Sequence, residues 1–248
     1  MRPLRKEAEA IRSKKVLSID LSGVSVLIAM PVYHCLPPQT ALSLLKTYTA
    51  ASDYGIPLRV LLEPGISDVE FARCICVHRF LAESNATKLF FIDSDMEWEP
   101  DAFMRLVSLS TKVDVVCGAY PRKSDPLEFL VGTPGRVTMN EYGCIPWHSG
   151  GLGFAVIDRK VIEDLAEKAP RIKFDIGDIK DKSLPQLFHK GEDANGYVRS
   201  EDTSFFSDVR DAGFKIWCDP HIVLGHVGAK VYAGSLYDHM LKKQIAAE

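Results

Sequence analysis

Between Val24 and Ile92, three short apolar runs alternate with two longer helix-compatible segments, and this rhythm limits the folds open to the chain. Val24–Met30 stops at Pro31, Leu58–Leu62 stops at the turn Glu63-Pro64-Gly65, and Leu89–Ile92 stops at Asp93. Runs this short, rich in branched and aromatic residues and closed by Pro, Gly or acids, read as buried strands. The spacing predicts a helix over Thr40–Tyr54, with Leu42, Leu45, Tyr48 and Ala51 on its inner face, and a second over Val69–Ser84. Strands and helices alternating through short connections imply a parallel, Rossmann-like half-domain. No Gly-x-Gly-x-x-Gly follows the first strand, which argues against an NAD or FAD site.

Downstream, Pro100 opens a helix to about Ser110, and Val113–Ala119 is a fourth strand. Residues 120–148 are rich in Gly, Pro and turns, with strand-like pieces at Leu127–Val131 and Arg136–Met139. Gly150-Gly151-Leu152-Gly153 enters a strand ending at Ile157, and Arg159–Ala166 is helical. Residues 175–197 are polar and aperiodic, as in a functional lid or a disordered segment. Ser200 is a candidate N-cap for a helix to Ala212, and Lys215–Cys218 is a last strand. No linker divides the chain. The expected fold is α/β, with a central mixed, mostly parallel sheet flanked by helices in a single domain over residues 24–228. Residues 24–119 would be its nucleotide-binding half and 120–228 its acceptor and catalytic half. Residues 1–23 read as an N-terminal arm with a short strand at Val16–Ile19, and 229–248 as a C-terminal helix or tail.

Composition excludes several classes of function. A net charge of -3 and a pI near 6.2 make no general case for polyanion binding, leaving Arg122-Lys123 as a local basic patch. The six cysteines lack zinc or thioredoxin spacing and read as reduced thiols of a cytosolic protein. No apolar segment follows the basic N-terminus and no run reaches 18 apolar residues. Neither a signal peptide nor a membrane span is expected, and the cytoplasm is the expected compartment.

The chemistry-bearing residues fall at element ends. Asp93-Ser94-Asp95 lies beyond the third strand, where open α/β sheets bind ligands. Two alternate acids there can hold a hard divalent cation against a diphosphate. An Asx-turn capping the helix at Pro100 accounts for them equally well. Glu201 and Asp202 begin a helix, where the dipole favours acids in any case. Gly150, Gly151 and Gly153 allow close backbone approach to a ligand.

In these segments the chain resembles glycosyltransferases of the GT-A fold, in particular family-2-like enzymes and short phage-associated relatives. The resemblance is carried by Val26–Met30 with Pro31-Val32-Tyr33, and by Ala72-Arg73 followed twenty residues on by Asp93-Ser94-Asp95. Gly150-Gly151-Leu152-Gly153-Phe154, Ser200-Glu201-Asp202, Ala212–Ile216 and Gly225-His226-Val227-Gly228 complete it, so that it spans most of residues 24–228. Relatives often carry Asn after the helix-start Arg, whereas this chain has Cys74.

The resemblance implies a metal-dependent transfer of sugar from a UDP- or GDP-linked donor to an acceptor hydroxyl. Mn²⁺ or Mg²⁺ would be ligated by Asp95 and His226, with Asp93 on the ribose or a metal-bound water. Pro31, Val32, Tyr33, Glu63, Arg73 and Ser94 would line the nucleotide-sugar site. Asp202 would be the general base, assisted by Glu201. Trp147, Gly150 and Gly151 would face donor sugar and acceptor. Trp147 serves equally as core, and Arg122 and Lys123 either face phosphate or form a solvated loop. The acceptor stays open among a glycan, a protein, a lipid-linked sugar and a hydroxylated DNA base; a phage-encoded enzyme would work in the host cytoplasm. A nucleotidyltransferase is the alternative enzyme, although Pro31-Val32-Tyr33-His34-Cys35 stands where it wants a glycine-rich basic loop. A non-catalytic nucleotide-sugar-binding module is the alternative outside catalysis.

Overall fold

The apolar runs pair as strands and the segments between them cover the two faces of the resulting sheet. In the computed structural model, which describes residues 20–132, 137–175, 177–193 and 195–246, the first half runs β1 (Val26–Val32), α1 (Pro38–Asp53), β2 (Leu58–Pro64), α2 (Val69–Glu83) and β3 (Lys88–Ile92). It continues with β4 (Met96–Trp98), α3 (Pro100–Leu109), β5 (Val115–Gly118), β6 (Ile145–Pro146), β7 (Phe154–Asp158) and α4 (Arg159–Lys168). Four short strands follow: β8 (Arg171–Lys173), β9 (Ser183–Pro185), β10 (Gly191–Glu192) and β11 (Val198–Arg199). The chain then forms α5 (Glu201–Asp211), β12 (Ile216–Asp219), β13 (Leu224–Val227), β14 (Val231–Gly234) and α6 (Leu236–Ala246).

The main sheet has the order β2-β1-β3-β7-β5-β12-β6 among the described residues. β1 pairs in parallel with β2 and β3, and β5 with β12. β7 runs antiparallel between β3 and β5, and β6 closes the edge antiparallel to β12. Alternation along each strand sends successive side chains to opposite faces. Leu27 and Ala29 pack with Cys76, Val77 and Phe80 of α2 and Phe205 of α5. Val26, Ile28 and Met30 pack with Ala51 of α1 and Phe103 and Leu106 of α3. β3 is buried along its whole length, so Asp93 emerges directly from the core.

A second sheet, β14-β13-β4, folds over the end of the first. β13 pairs antiparallel with β4, setting His226 opposite Met96, and the Val227 amide donates to the Asp95 carbonyl at 2.7 Å. Residues 131 apart in sequence, Asp95 and His226, are thereby brought side by side.

Four expectations change. In α1 the buried stripe is Thr40, Ser43, Thr47 and Ala51, whereas Leu42, Leu45 and Tyr48 are exposed. Trp98 of β4 is the reason: its amide donates to Ser43 Oγ at 3.0 Å and its indole N–H to Thr47 Oγ1 at 2.7 Å. Buried hydroxyls thus accept the donors that an apolar face would have left unpaired. Leu127–Val131 contributes a single bridge, Pro121 with Phe129, in place of a strand, and residues 137–139 are irregular. The segment 175–197 is not one loop. Its residues Leu184, Leu187 and Phe188 lie in the core, Phe188 against Phe91 and Phe205, and β10 and β11 pair as an antiparallel hairpin. The domain limit at residue 228 falls inside the β13–β14 hairpin, and Leu236 beyond it is buried in the main core.

The strand at Val16–Ile19 and nearly all of the N-terminal arm lie outside the described residues. The cysteine thiols are free and all but Cys35 are buried. Among the described residues, no helix is long and apolar enough to cross a membrane.

Candidate active site

The carboxyl ends of β1, β3 and β5 and the start of α5 converge on Arg73. Asp68 caps α2 by accepting the Glu70 amide at 3.0 Å, and the first turns of that helix carry Arg73 beneath the sheet end. Arg73 is 2% exposed and meets three carboxylates. Its Nη2 donates to Asp93 Oδ1 at 2.9 Å, and its Nη1 to Glu201 Oε1 at 3.0 Å and to Asp202 Oδ1. Burial acts to lower the Arg73 pKa, but Asp202, Asp93 and Glu201 raise it, so the guanidinium stays charged.

Asp202 is set by both of its oxygens, since Oδ2 accepts the Leu152 amide at 3.0 Å. Ser200 supports it by capping α5, accepting the Thr203 amide at 3.3 Å. Burial pushes the Asp202 carboxyl up to about 6; Asp93 and Glu201 push the same way, and Arg73 and the Leu152 amide oppose them. A carboxylate of that strength near neutral pH suits proton acceptance.

The glycine loop is dictated by what lies against it. A Cβ on Gly151 would stand 2.0 Å from the Tyr120 hydroxyl, and one on Gly153 would stand 2.3 Å from Asp93 Oδ2. The Gly153 amide donates to the Tyr120 hydroxyl at 3.2 Å. Burial, followed by the charges of Asp93 and Asp202, raises the Tyr120 phenol well above its ordinary value, so it remains a protonated donor.

Asp95 faces a different set. His226 Nε2 lies 3.4 Å and Lys123 Nζ 2.5 Å from its Oδ2. Burial would raise the Asp95 carboxyl, but His226 and Lys123 hold it at about 2. His226 Nδ1 lies 3.0 Å from the Pro121 carbonyl oxygen. A carbonyl only accepts, so Nδ1 carries a proton there, and Nε2 is the ring nitrogen that faces Asp95. Asp93 and Asp95 do not cap the following helix, because the N-cap of α3 is Glu99.

Two clefts meet here. One, of about 350 Å³, is lined by Pro31, Tyr33, Arg73, Asp93, Ser94 and Asp95 together with Glu201. The other, of about 730 Å³, is lined by Trp147, Ser149, Gly150, Gly151, Leu130 and Lys123 among others. Tyr120, Asp202 and His226 belong to the walls of both.

Most of the expected residues are therefore gathered in one place. Glu63 and Val32 are not among the lining residues. Glu63 is buried and accepts from Arg79 Nε at 2.8 Å, while the Val32 carbonyl accepts the Gly65 amide at 2.9 Å. Trp147 is 98% buried (2% exposed), as its reading as core required, yet its ring lies against Gly150 on the wall of the larger cleft. Cys74 is buried, with Sγ 3.7 Å from the Phe188 carbonyl. Tyr120 went unmarked, and Lys123, read as facing phosphate or as part of a solvated loop, lies against Asp95. Their signal was position, since both follow the carboxyl end of β5, the ligand-binding edge of the sheet.

No family model matches the chain, and no curated protein matches it. Among solved structures it is similar to A197 from STIV, at 20% identity over 86% of this chain and 90% of that one, with a TM-score of 0.50. The chain has the GT-A fold. A crystal structure of GalNAc-T7 with UDP, GalNAc and Mn²⁺ is also similar, at 12% identity and a TM-score of 0.46. The match covers 84% of this chain and 44% of that longer one.

Among the described residues no three His, Cys, Asp or Glu side chains form a ready metal cage. Asp95 and His226 nevertheless make a fitting pair of donors, oxygen and imidazole nitrogen, at 3.4 Å from one another. Mg²⁺-type sites commonly use one or two protein donors and complete the shell with phosphate oxygens and water.

Proposed function

We propose that the protein is a metal-dependent glycosyltransferase, family-2-like, using a UDP- or GDP-linked sugar and an acceptor hydroxyl. The observation that carries this reading is Asp202, a carboxylate with its pKa raised to about 6 in the wall common to two clefts. A donor and an acceptor in adjoining clefts meet at that wall.

On this reading the smaller cleft takes the nucleotide. Tyr33, half exposed at its mouth, offers a ring for the base, and Pro31 forms the edge of the same pocket. Asp93, held through Oδ1 by Arg73, contributes its other oxygen to the ribose or to a water. Asp95 and His226 would hold Mn²⁺ or Mg²⁺, which as a Lewis acid would stabilise the charge gathering on the diphosphate. The acceptor lies in the larger cleft along Gly150 and Gly151. Asp202 takes the hydroxyl proton as the acceptor oxygen bonds to the anomeric carbon. The carbon–phosphate oxygen bond breaks, and the diphosphate leaves with the electron pair. Arg73 and the Leu152 amide keep Asp202 aimed, and Glu201, on the same Nη1 as Asp202, orients the acceptor or the base.

Asp202→Asn tests the assignment. The variant is expected to bind nucleotide sugar within a few-fold of the wild type and to lose at least about 100-fold in transfer rate. Transfer at the wild-type rate would remove Asp202 from the role of base.

A further inference from the structure

Lys123 holds the oxygen that the metal reading reserves for a cation. Its Nζ is 2.5 Å from Asp95 Oδ2, while His226 Nε2 approaches the same oxygen at 3.4 Å. Asp95 is held as an anion, so its Oδ2 calls for a positive charge beside it. Lys123 supplies that charge in the free protein. Its stem is guided there by Gly228, where a Cβ would come within 3.0 Å of Lys123 Cδ. The loop is fixed on the other side by the Arg122 amide donating to the Glu128 carbonyl at 2.7 Å.

The ammonium is not locked in place. The Lys123 side chain is 38% exposed, lines the larger cleft, and turns on a flexible four-carbon stem. A divalent cation arriving alone at Asp95 would have to displace the ammonium, whose ion pair among the described residues is with Asp95. A diphosphate changes this, because it brings oxygens for the metal and a new anionic partner for the lysine.

Resting on the metal–diphosphate reading above, we propose that Lys123 is a substrate-binding residue parked on Asp95, which moves to the diphosphate on binding and makes entry of metal and diphosphate mutually dependent. The dependence is a coupling between two ligands through one side chain, and it acts equally in both directions.

The test is calorimetric titration of Mn²⁺ into the nucleotide-free full-length protein, comparing wild type with Lys123→Gln, Lys123→Arg and the double variant Lys123→Gln/Asp95→Ala. UDP and GDP are then titrated at saturating Mn²⁺. Lys123→Gln is expected to bind Mn²⁺ alone roughly tenfold more tightly than wild type, with Lys123→Arg staying near wild type. With Mn²⁺ present, Lys123→Gln is expected to bind the preferred nucleotide roughly fivefold more weakly. If Lys123→Gln binds Mn²⁺ no better than wild type, while Asp95→Ala in that background abolishes binding, the parked lysine is refuted and the metal site stands. If Asp95→Ala leaves Mn²⁺ binding untouched, the metal is elsewhere and both fall. Circular dichroism of each variant separates loss of binding from loss of fold.

Discussion

Asp202 owes its behaviour to contradictory neighbours. Burial, Asp93 and Glu201 disfavour its charge, while Arg73 and the Leu152 amide favour it, and the balance leaves it near 6. As a base it works only when ionised, so kcat/KM is expected to rise with pH through about 6 and level off above it. A pH–rate profile flat from 5 to about 8 would contradict this. Arg73 is the counter-ion of the whole cluster. Arg73→Met leaves Asp93, Glu201 and Asp202 without their shared partner and is expected to cost about 3–5 kcal/mol, measured by urea unfolding. A loss below about 1 kcal/mol would mean that the acids find other partners.

Residues of this kind were legible unevenly. Asp93 and Asp95 could be read because a strand end positions whatever follows it. Asp202 could be read only through the resemblance, since acids opening a helix are favoured by its dipole in any case. Glu63 misled, since it ends β2 in an apt place but its carboxylate turns to Arg79 on α2. Lys123 was half legible. Its position beside a ligand edge was visible, but its pairing with Asp95 depends on how the loop after β5 crosses β13.

At the scale of elements, β3 is the keystone. It is buried throughout, lies between β1 and β7, and delivers Asp93 and Asp95 to the cleft. Phe91 packs against Phe188, so its removal opens a cavity at the root of the site. Phe91→Ala is expected to cost about 3–5 kcal/mol in urea unfolding with an unchanged m-value. A cost under about 1 kcal/mol would show that β3 is not held this way. The strands were legible because apolar runs with sharp ends have few other uses. α1 was not, because its buried face is polar. Ser43 and Thr47 are inside only because Trp98, from a strand not recognised in the sequence, needs their oxygens. The course of residues 184–188 was hidden similarly, as a few apolar residues in a polar stretch gave no period to read.

The whole molecule joins two halves that are each incomplete. The first supplies the parallel strands β1, β2, β3 and β5 with Arg73, Asp93 and Asp95, and the second supplies β12, Asp202, His226 and the glycine loop that closes on Tyr120. β13 pairing with β4, and β7 entering between β3 and β5, are the contacts that bring the halves together. Order along the chain conveyed that both halves were needed. The antiparallel insertion of β7 fixed their distance, and no local pattern announces such an insertion. The central claim is that this junction binds a nucleotide sugar through a metal at Asp95. Thermal unfolding with a panel of nucleotide sugars, with and without Mn²⁺, measures it most directly. The account predicts that one UDP- or GDP-linked sugar raises the melting temperature only when Mn²⁺ is present, and that Asp95→Ala abolishes the shift. A shift with free nucleoside triphosphates and none with any nucleotide sugar would contradict it.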